Sequence, residues 1–314
     1  MTKPDVLELI DVHPGTTARL DRDYALHRLW EGGDRGRLIA EVAPRVRAAV
    51  TNGIVGMKGD LIAALPTLEI IGVFGVGVDS VDLTTAKARG VRVTNTPDVL
   101  TEGVAELALA LLLAVARRIP FNDRFVRAGR WPKEGDPALA SSLAGRRLGI
   151  VGLGRIGRRV AGLAEAFGME IRYGGPRRKD DVTWRYYDDL VTLARDVDCL
   201  MLTCKGGAET AGLIGREVIE AVGPDGWLIN VSRGSVVDEA ALAEALVAGR
   251  LGAAGLDVFA SEPRVPEALL RLDNVVLQPH QGSASEETRA AMGRLVLDNL
   301  AAHFAGRPLL TPVA

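Results

Sequence analysis

The chain has 314 residues, room for two domains of roughly 150 residues each, and its 47% apolar and 25% charged residues are those of an ordinary globular protein. A formal net charge of −2 argues against a polyanion-binding surface, so nucleic acid is not an expected partner. Its longest apolar run, Leu107–Ala116, is too short to cross a bilayer, so no membrane association is expected. The first residues carry Asp5, Glu8 and Asp11 and no long apolar core, unlike a secretory leader. Cys199 and Cys204, the two cysteines, read as reduced thiols, which points to a cytoplasmic protein. With no CxxC pair and four histidines, no metal site is expected.

Taken in order, short apolar runs alternate with helical patterns, the signature of α/β folds with parallel sheets. Strands are predicted at Val6–Ile10, Val46–Val50, Ile70–Phe74 and Val91–Thr94, with a helix over Leu83–Arg89 that stops at Gly90. Thr101–Arg118 reads as one long helix with Thr101 as N-cap. Its apolar residues nearly encircle it, so it is expected to be buried between domains or in a homodimer interface. A second series opens with strand Arg147–Gly152 and a helix over Arg158–Phe167. Further strands are predicted at Glu170–Tyr173, Cys199–Thr203, Leu228–Val231, Gly255–Val258 and Val275–Leu277, then a helix over Glu286–Phe304. One domain is expected over residues 99–283 and the other over 1–98 with 284–314, leaving an interdomain cleft as the ligand site.

Gly152-Leu153-Gly154-Arg155-Ile156-Gly157 is a G-x-G-x-x-G between a predicted strand and a predicted helix, the placement a dinucleotide loop requires. Gly152 permits the tight turn, Gly154 lets backbone approach a pyrophosphate, and Gly157 lets helix and strand pack. Free amides at the helix start then meet the phosphates. A purely structural turn is the alternative. An NAD site of this kind usually has an acid about 20 residues on, for the ribose 2′-hydroxyl. Here the next strand runs into Gly174-Gly175-Pro176-Arg177-Arg178-Lys179. Glycines and cations suit a 2′-phosphate, so NADP(H) is the preferred cofactor, with NAD(H) possible and Gly175, Arg177 and Arg178 as its contacts. Lys179 reads as part of a solvated turn.

Arg233, Glu262 and His280 each follow a predicted strand. Ligands of open parallel sheets bind at the carboxyl ends of strands, so all three are expected on one rim. The motifs around them, Asn230–Gly234 with Val237-Asp238, Gly255–Pro263 and Pro279–Ser285, occur with the glycine loop and with Gly75-Val76-Gly77-Val78-Asp79-Ser80-Val81-Asp82. In order and spacing they resemble the D-isomer-specific 2-hydroxyacid dehydrogenase family, glyoxylate/hydroxypyruvate reductase branch, over nearly the whole chain. The resemblance implies two doubly wound domains, Rossmann-like and flavodoxin-like, and reduction of a small 2-keto acid.

Such a reduction needs a hydride on carbon and a proton on oxygen, and histidine can supply the proton near neutral pH. The resemblance makes His280 the acid/base, Glu262 its partner, and Arg233 the clamp on the substrate carboxylate and keto oxygen. It gives the amides of Val76 and Gly77 the other end of the carboxylate, and Asp257 the nicotinamide carboxamide. Arg155, Ile156, Cys204, Val231 and Gly282 complete its cofactor contacts. Cys204-Lys205-Gly206-Gly207 replaces the family's common Pro-Leu-Thr run. Trp131 reaches a neighbouring subunit or packs in an interface. A phosphite or formate dehydrogenase of this fold, or a non-catalytic dinucleotide sensor, would be the alternatives. His13, His27 and His303 are read as structural.

Overall fold

The structure is a computed structural model that describes residues 3–313. The chain divides into two compact units, Met1–Leu100 with Ser283–Ala314, and Thr101–Gly282. Among the described residues no helix is long and apolar enough to cross a membrane.

Five strands build the first unit: β1 (Asp5–Glu8), β2 (Ala25–Arg28), β3 (Val46–Asn52), β4 (Ile70–Phe74) and β5 (Arg92–Thr94). All pairs are parallel and the order is β2-β1-β3-β4-β5, a flavodoxin-like doubly wound sheet. Every residue of β4 is buried, as expected of a parallel strand covered on both faces. The helix Glu286–Phe304 lies on one face. Arg289 sits over the Phe74 ring, a Cβ on Gly72 would come within 3.2 Å of Val296, and His303 meets Glu69 at 2.9 Å. The helix therefore descends β4 from its carboxyl end to its start.

Seven strands build the second unit: β6 (Arg147–Val151), β7 (Glu170–Gly174), β8 (Arg185–Tyr187), β9 (Cys199–Leu202), β10 (Trp227–Asn230), β11 (Ala253–Leu256) and β12 (Val275–Leu277). Their order, β12-β11-β10-β9-β6-β7-β8, reverses direction between β6 and β9, as in a Rossmann sheet. The strands end in step: Val151 pairs with Gly174 and Leu202, Asn230 with Leu202 and Leu256, and Leu256 with Leu277. Whatever follows each strand thus emerges on one rim.

Two expectations need correction. The strand predicted at Gly255–Val258 is β11, two residues earlier, because its register against β10 brings Asp257 out of the sheet to the rim. The helix predicted over Thr101–Arg118 starts at Thr101 itself and ends at Ala116, and its own unit covers much of it. Val104, Ala105, Ala108, Leu109, Leu111, Leu112, Val115 and Ala116 are buried there, and a Cβ on Gly255 of β11 would lie 3.2 Å from Leu111. The apolar stripe left over is narrower than the sequence implied. Strands β2 and β8 went unanticipated; both are short edge strands, Ala-Leu-His-Arg and Arg-Tyr-Tyr. His13, His27 and His303 pair with Glu286, Asp5 and Glu69 at 3.0, 2.7 and 2.9 Å.

Candidate active site

The glycine loop leaves β6 and turns at Gly152, whose φ of 96° is left-handed. A Cβ there would lie 2.5 Å from Cys204 Cα, so the chain following β9 presses directly on the turn. Thr203 Oγ1 donates to the Gly152 carbonyl at 2.8 Å and closes the loop from the β9 side. At Gly157 a Cβ would meet the Gly152 carbonyl at 2.6 Å, so only glycine lets the helix Arg155–Ala166 start so close to β6. Gly154 differs: its Cβ would meet nothing within 4 Å. It is the N-cap, and having no side chain it makes no side-chain cap bond of its own. Open space before a helix start at the sheet's switch point fits a dinucleotide pyrophosphate.

Past β7 the two glycines separate in role. A Cβ on Gly174 would crowd Leu190 at 2.8 Å, whereas one on Gly175 would enter open space. Tyr186 donates its hydroxyl to the Gly175 carbonyl at 2.8 Å, and the Lys179 amide donates to Tyr173 Oη at 2.8 Å, which shapes the loop. Arg177 and Arg178 are exposed. Arg158, from the glycine-loop helix, pairs with Asp181 at 2.8 Å and holds that carboxyl below its ordinary range.

The second half of the rim is tied together by backbone. Asn230, the last residue of β10, accepts from the amide and hydroxyl of Ser232 at 3.0 and 2.9 Å and donates to the Arg233 carbonyl at 3.0 Å. The next residue, Gly234, abuts the chain after β11, where a Cβ would sit 1.9 Å from the Phe259 carbonyl carbon. Sequence reasoning assigned neither Asn230 nor Gly234 a role, although both flank Arg233 in the motif. Cys204 and Val231 stand at the ends of β9 and β10. Val231 donates its amide to Leu202 at 3.3 Å, and burial raises the Cys204 thiol.

Asp257 follows β11. Its buried carboxylate accepts from the amides of Gln281 and Gly282 at 2.6 and 2.9 Å, and its carbonyl accepts from the His280 amide at 2.9 Å. Burial pushes this carboxyl up, against the two amides and the nearby His280. His280 is thus held in a left-handed conformation, φ 54°. Its Nδ1 lies 2.8 Å from Glu262 Oε2, while Glu262 Oε1 accepts from the Phe259 amide at 3.0 Å. An ionised carboxylate can only accept, so Nδ1 carries a proton in either charge state and Nε2 is the nitrogen that exchanges one. Burial alone would raise the Glu262 carboxyl, but the His280 bond, the Phe259 amide and the charges of His280 and Arg233 hold it below its ordinary value. One rim thus carries a dinucleotide cradle, a cation and a histidine–carboxylate pair.

In the first unit, Val76 and Gly77 follow β4. Gly75 exchanges bonds with Thr96 at 3.0 and 2.9 Å, and Asn95 donates to the Val76 carbonyl at 2.8 Å. The amides of Val76 and Gly77 themselves have no acceptor among the described residues.

These features define a nicotinamide-dependent oxidoreductase. Comparison with known proteins narrows the class. The family described as D-isomer specific 2-hydroxyacid dehydrogenase, NAD binding domain, matches residues 109–282. A hydroxyphenylpyruvate reductase of Plectranthus scutellarioides is 52% identical over 94% of both chains. A 2-ketogluconate reductase of Gluconobacter oxydans is 43% identical over 99% of both. Among solved structures, an NADPH-dependent glyoxylate/hydroxypyruvate reductase from Sinorhizobium meliloti, in complex with NADP and malonate, is 44% identical with a TM-score of 0.94, over 100% of this chain and 97% of that one. The chain belongs to the D-isomer specific 2-hydroxyacid dehydrogenase family.

Proposed function

We propose that the chain reduces a small 2-keto acid of the glyoxylate or hydroxypyruvate type to the 2-hydroxy acid, with NADPH as the preferred cofactor. The observation that carries the reading is the 2.8 Å His280–Glu262 pair on the rim where the glycine loop opens. When bound, the cofactor supplies the hydride. Gly152, Gly154, Arg155, Ile156 and Gly157 would hold its pyrophosphate, and Cys204, Val231, Asp257 and Gly282 would hold its nicotinamide half. Asp257 keeps a lone pair on each oxygen for the carboxamide.

His280 Nε2 gives the proton to the keto oxygen, and the ionised Glu262 stabilises the imidazolium that does so. Arg233 polarises the keto oxygen and grips the carboxylate, a task for a planar, permanent cation. Val76 and Gly77 amides bind the same carboxylate. Arg177 and Arg178, exposed and without a partner among the described residues, take the 2′-phosphate, and Gly175 leaves room for it. The relatives support this reading by name: one is called NADPH-dependent and several are called glyoxylate reductases.

The protein is proposed to be a cytoplasmic homodimer. Leu107, Ala110, Leu113 and Ala114 on the helix Thr101–Ala116 remain wholly or partly uncovered, and Ile119, Val126, Trp131 and Leu139 are exposed apolar residues of the same unit. A shared face would cover them. Sedimentation should show a dimer at micromolar concentration; a monomer contradicts it. The activity itself is tested by steady-state turnover of glyoxylate, hydroxypyruvate, formate and phosphite with both cofactors. Turnover of the keto acids, faster with NADPH, is expected; turnover of formate or phosphite alone would replace the reading.

A further inference from the structure

The helix Glu286–Phe304 brings one cation to the carboxyl end of β4. Arg289 is half-buried, with its guanidinium carbon 5.6 Å from the centroid of the Phe74 ring. Phe74 is the last residue of β4 and is followed directly by Gly75, Val76 and Gly77. Arg289 Nε donates to the Ser283 carbonyl at 3.2 Å, which orients the planar head. Its two terminal nitrogens have no acceptor among the described residues, and no carboxylate pairs with it. Glu286, one turn earlier, is paired with His13 at 3.0 Å. Burial, with no anion to offset it, destabilises the charged form of Arg289.

Desolvating a cation is costly unless an anion compensates. Elsewhere in this chain some half-buried arginines are compensated by a carboxylate, while Arg146, over the Trp227 ring and donating to the Ser142 carbonyl, is not. Arg172 meets Asp196 at 2.8 Å, and Arg28 meets Glu31 at 3.4 Å. Arg289 is left with an aromatic face and one carbonyl. The loop that Phe74 leads into carries the two amides that also have no acceptor among the described residues. A guanidinium fork and paired amides are both donor-only groups, and an acceptor-only anion such as the substrate carboxylate satisfies both kinds.

We infer that Arg289 is a ligand of the substrate carboxylate, acting with the Val76 and Gly77 amides as an anion site built wholly within the first unit. The assignment rests on the proposed keto-acid reductase activity and adds a substrate contact that the motif reading did not include. Such a contact is made equally in ground state and transition state, so its loss appears in KM rather than kcat. It also binds any small carboxylate, whether or not that carboxylate reacts.

The test pairs turnover with binding of an unreactive carboxylate. Arg289→Gln and Arg289→Lys are compared with wild type for KM and kcat on glyoxylate and hydroxypyruvate, for malonate affinity by calorimetry, for NADPH affinity and for Tm. In Arg289→Gln, both KM values and the malonate Kd should rise together by about 10- to 100-fold, the worth of a charge-assisted contact. Turnover number should stay within about threefold and NADPH affinity should not move. Arg289→Lys, which keeps charge and stem, should fall between; if the glutamine variant is insoluble, the lysine variant is read the same way. Unchanged KM and malonate affinity would overturn the assignment, as would a lowered Tm with wild-type KM. A rise for hydroxypyruvate alone would also overturn it, because glyoxylate shares the carboxylate and lacks only the hydroxymethyl group. Malonate binding needs no turnover, so failure of the proposed activity would be seen separately, as wild type that reduces neither keto acid.

Discussion

Two parts of the second unit's rim are held in opposite ways. Around His280 every side chain is tied down: Glu262 to the Phe259 amide, Asp257 to the amides of Gln281 and Gly282, and Asn230 to the turn carrying Arg233. Around Arg177 and Arg178 the backbone is shaped by Tyr173 and Tyr186, but the two guanidinium groups themselves reach into solvent. Chemistry that moves a proton needs atoms fixed before substrate arrives, whereas discrimination of a phosphate from a hydroxyl needs only charge within reach. Substitutions of Arg233 and His280 in the first part should therefore have large effects on turnover, and those in the second modest effects on cofactor choice.

A large effect is expected at Arg233. Arg233→Ala removes a ground-state clamp and the polarisation of the carbonyl together, so KM should rise and kcat fall, with kcat/KM down by about 10³-fold. An unchanged KM on steady-state assay would take Arg233 out of the substrate site. Next comes Gly234→Ala. Its Cβ would press on backbone at 1.9 Å, so the loops bearing Arg233 and Glu262 must part, at about 1–3 kcal/mol of stability. Calorimetry showing an unaltered Tm would mean that this contact yields freely.

Changes at the cofactor loop should be smaller and selective. Arg177→Ala with Arg178→Ala should lower kcat/KM for NADPH by about tenfold and leave NADH nearly untouched. Gly175→Asp should add to that shift by repelling the phosphate and accepting from the ribose hydroxyl. Equal use of both cofactors by wild type would show these arginines to be solvated only. Glu262→Gln should have the mildest effect. Glu262 is held below the ordinary carboxylate value, so it is ionised across the neutral range and its charge favours the imidazolium. Reduction requires that imidazolium, so losing the charge should move the alkaline limb of the reduction profile to lower pH. A limb that stays in place would uncouple Glu262 from proton transfer.

How much of this was legible beforehand follows the same division. The glycine loop, Arg233, Glu262 and His280 announced themselves because each pairs an unusual residue type with a strand end, and parallel strands of near-equal length end together. Asn230 and Gly234 were not singled out, although they position Arg233, because a polar residue closing a strand and a glycine after it are common in turns. What makes Gly234 obligatory is the backbone of Phe259, 25 residues away in sequence and invisible to local pattern. The missed strands β2 and β8 lie at sheet edges, where the alternation that reveals a strand is not enforced by burial on two faces. Arg289 was hidden for another reason. Amid the polar first turn of a helix it looks like a solvated charge, and what marks it out is its burial against Phe74, the residue that leads into Val76 and Gly77.

The central claim is that the rim histidine delivers the proton and does not hold the cofactor. Single-turnover reduction of hydroxypyruvate by His280→Ala, mixed with saturating NADPH and followed by NADPH absorbance, tests it most directly. The account predicts NADPH binding within about twofold of wild type and a reduction rate lower by about 10²–10⁴-fold, the usual worth of a positioned acid. A variant that binds NADPH normally and reduces hydroxypyruvate at the wild-type rate would contradict it.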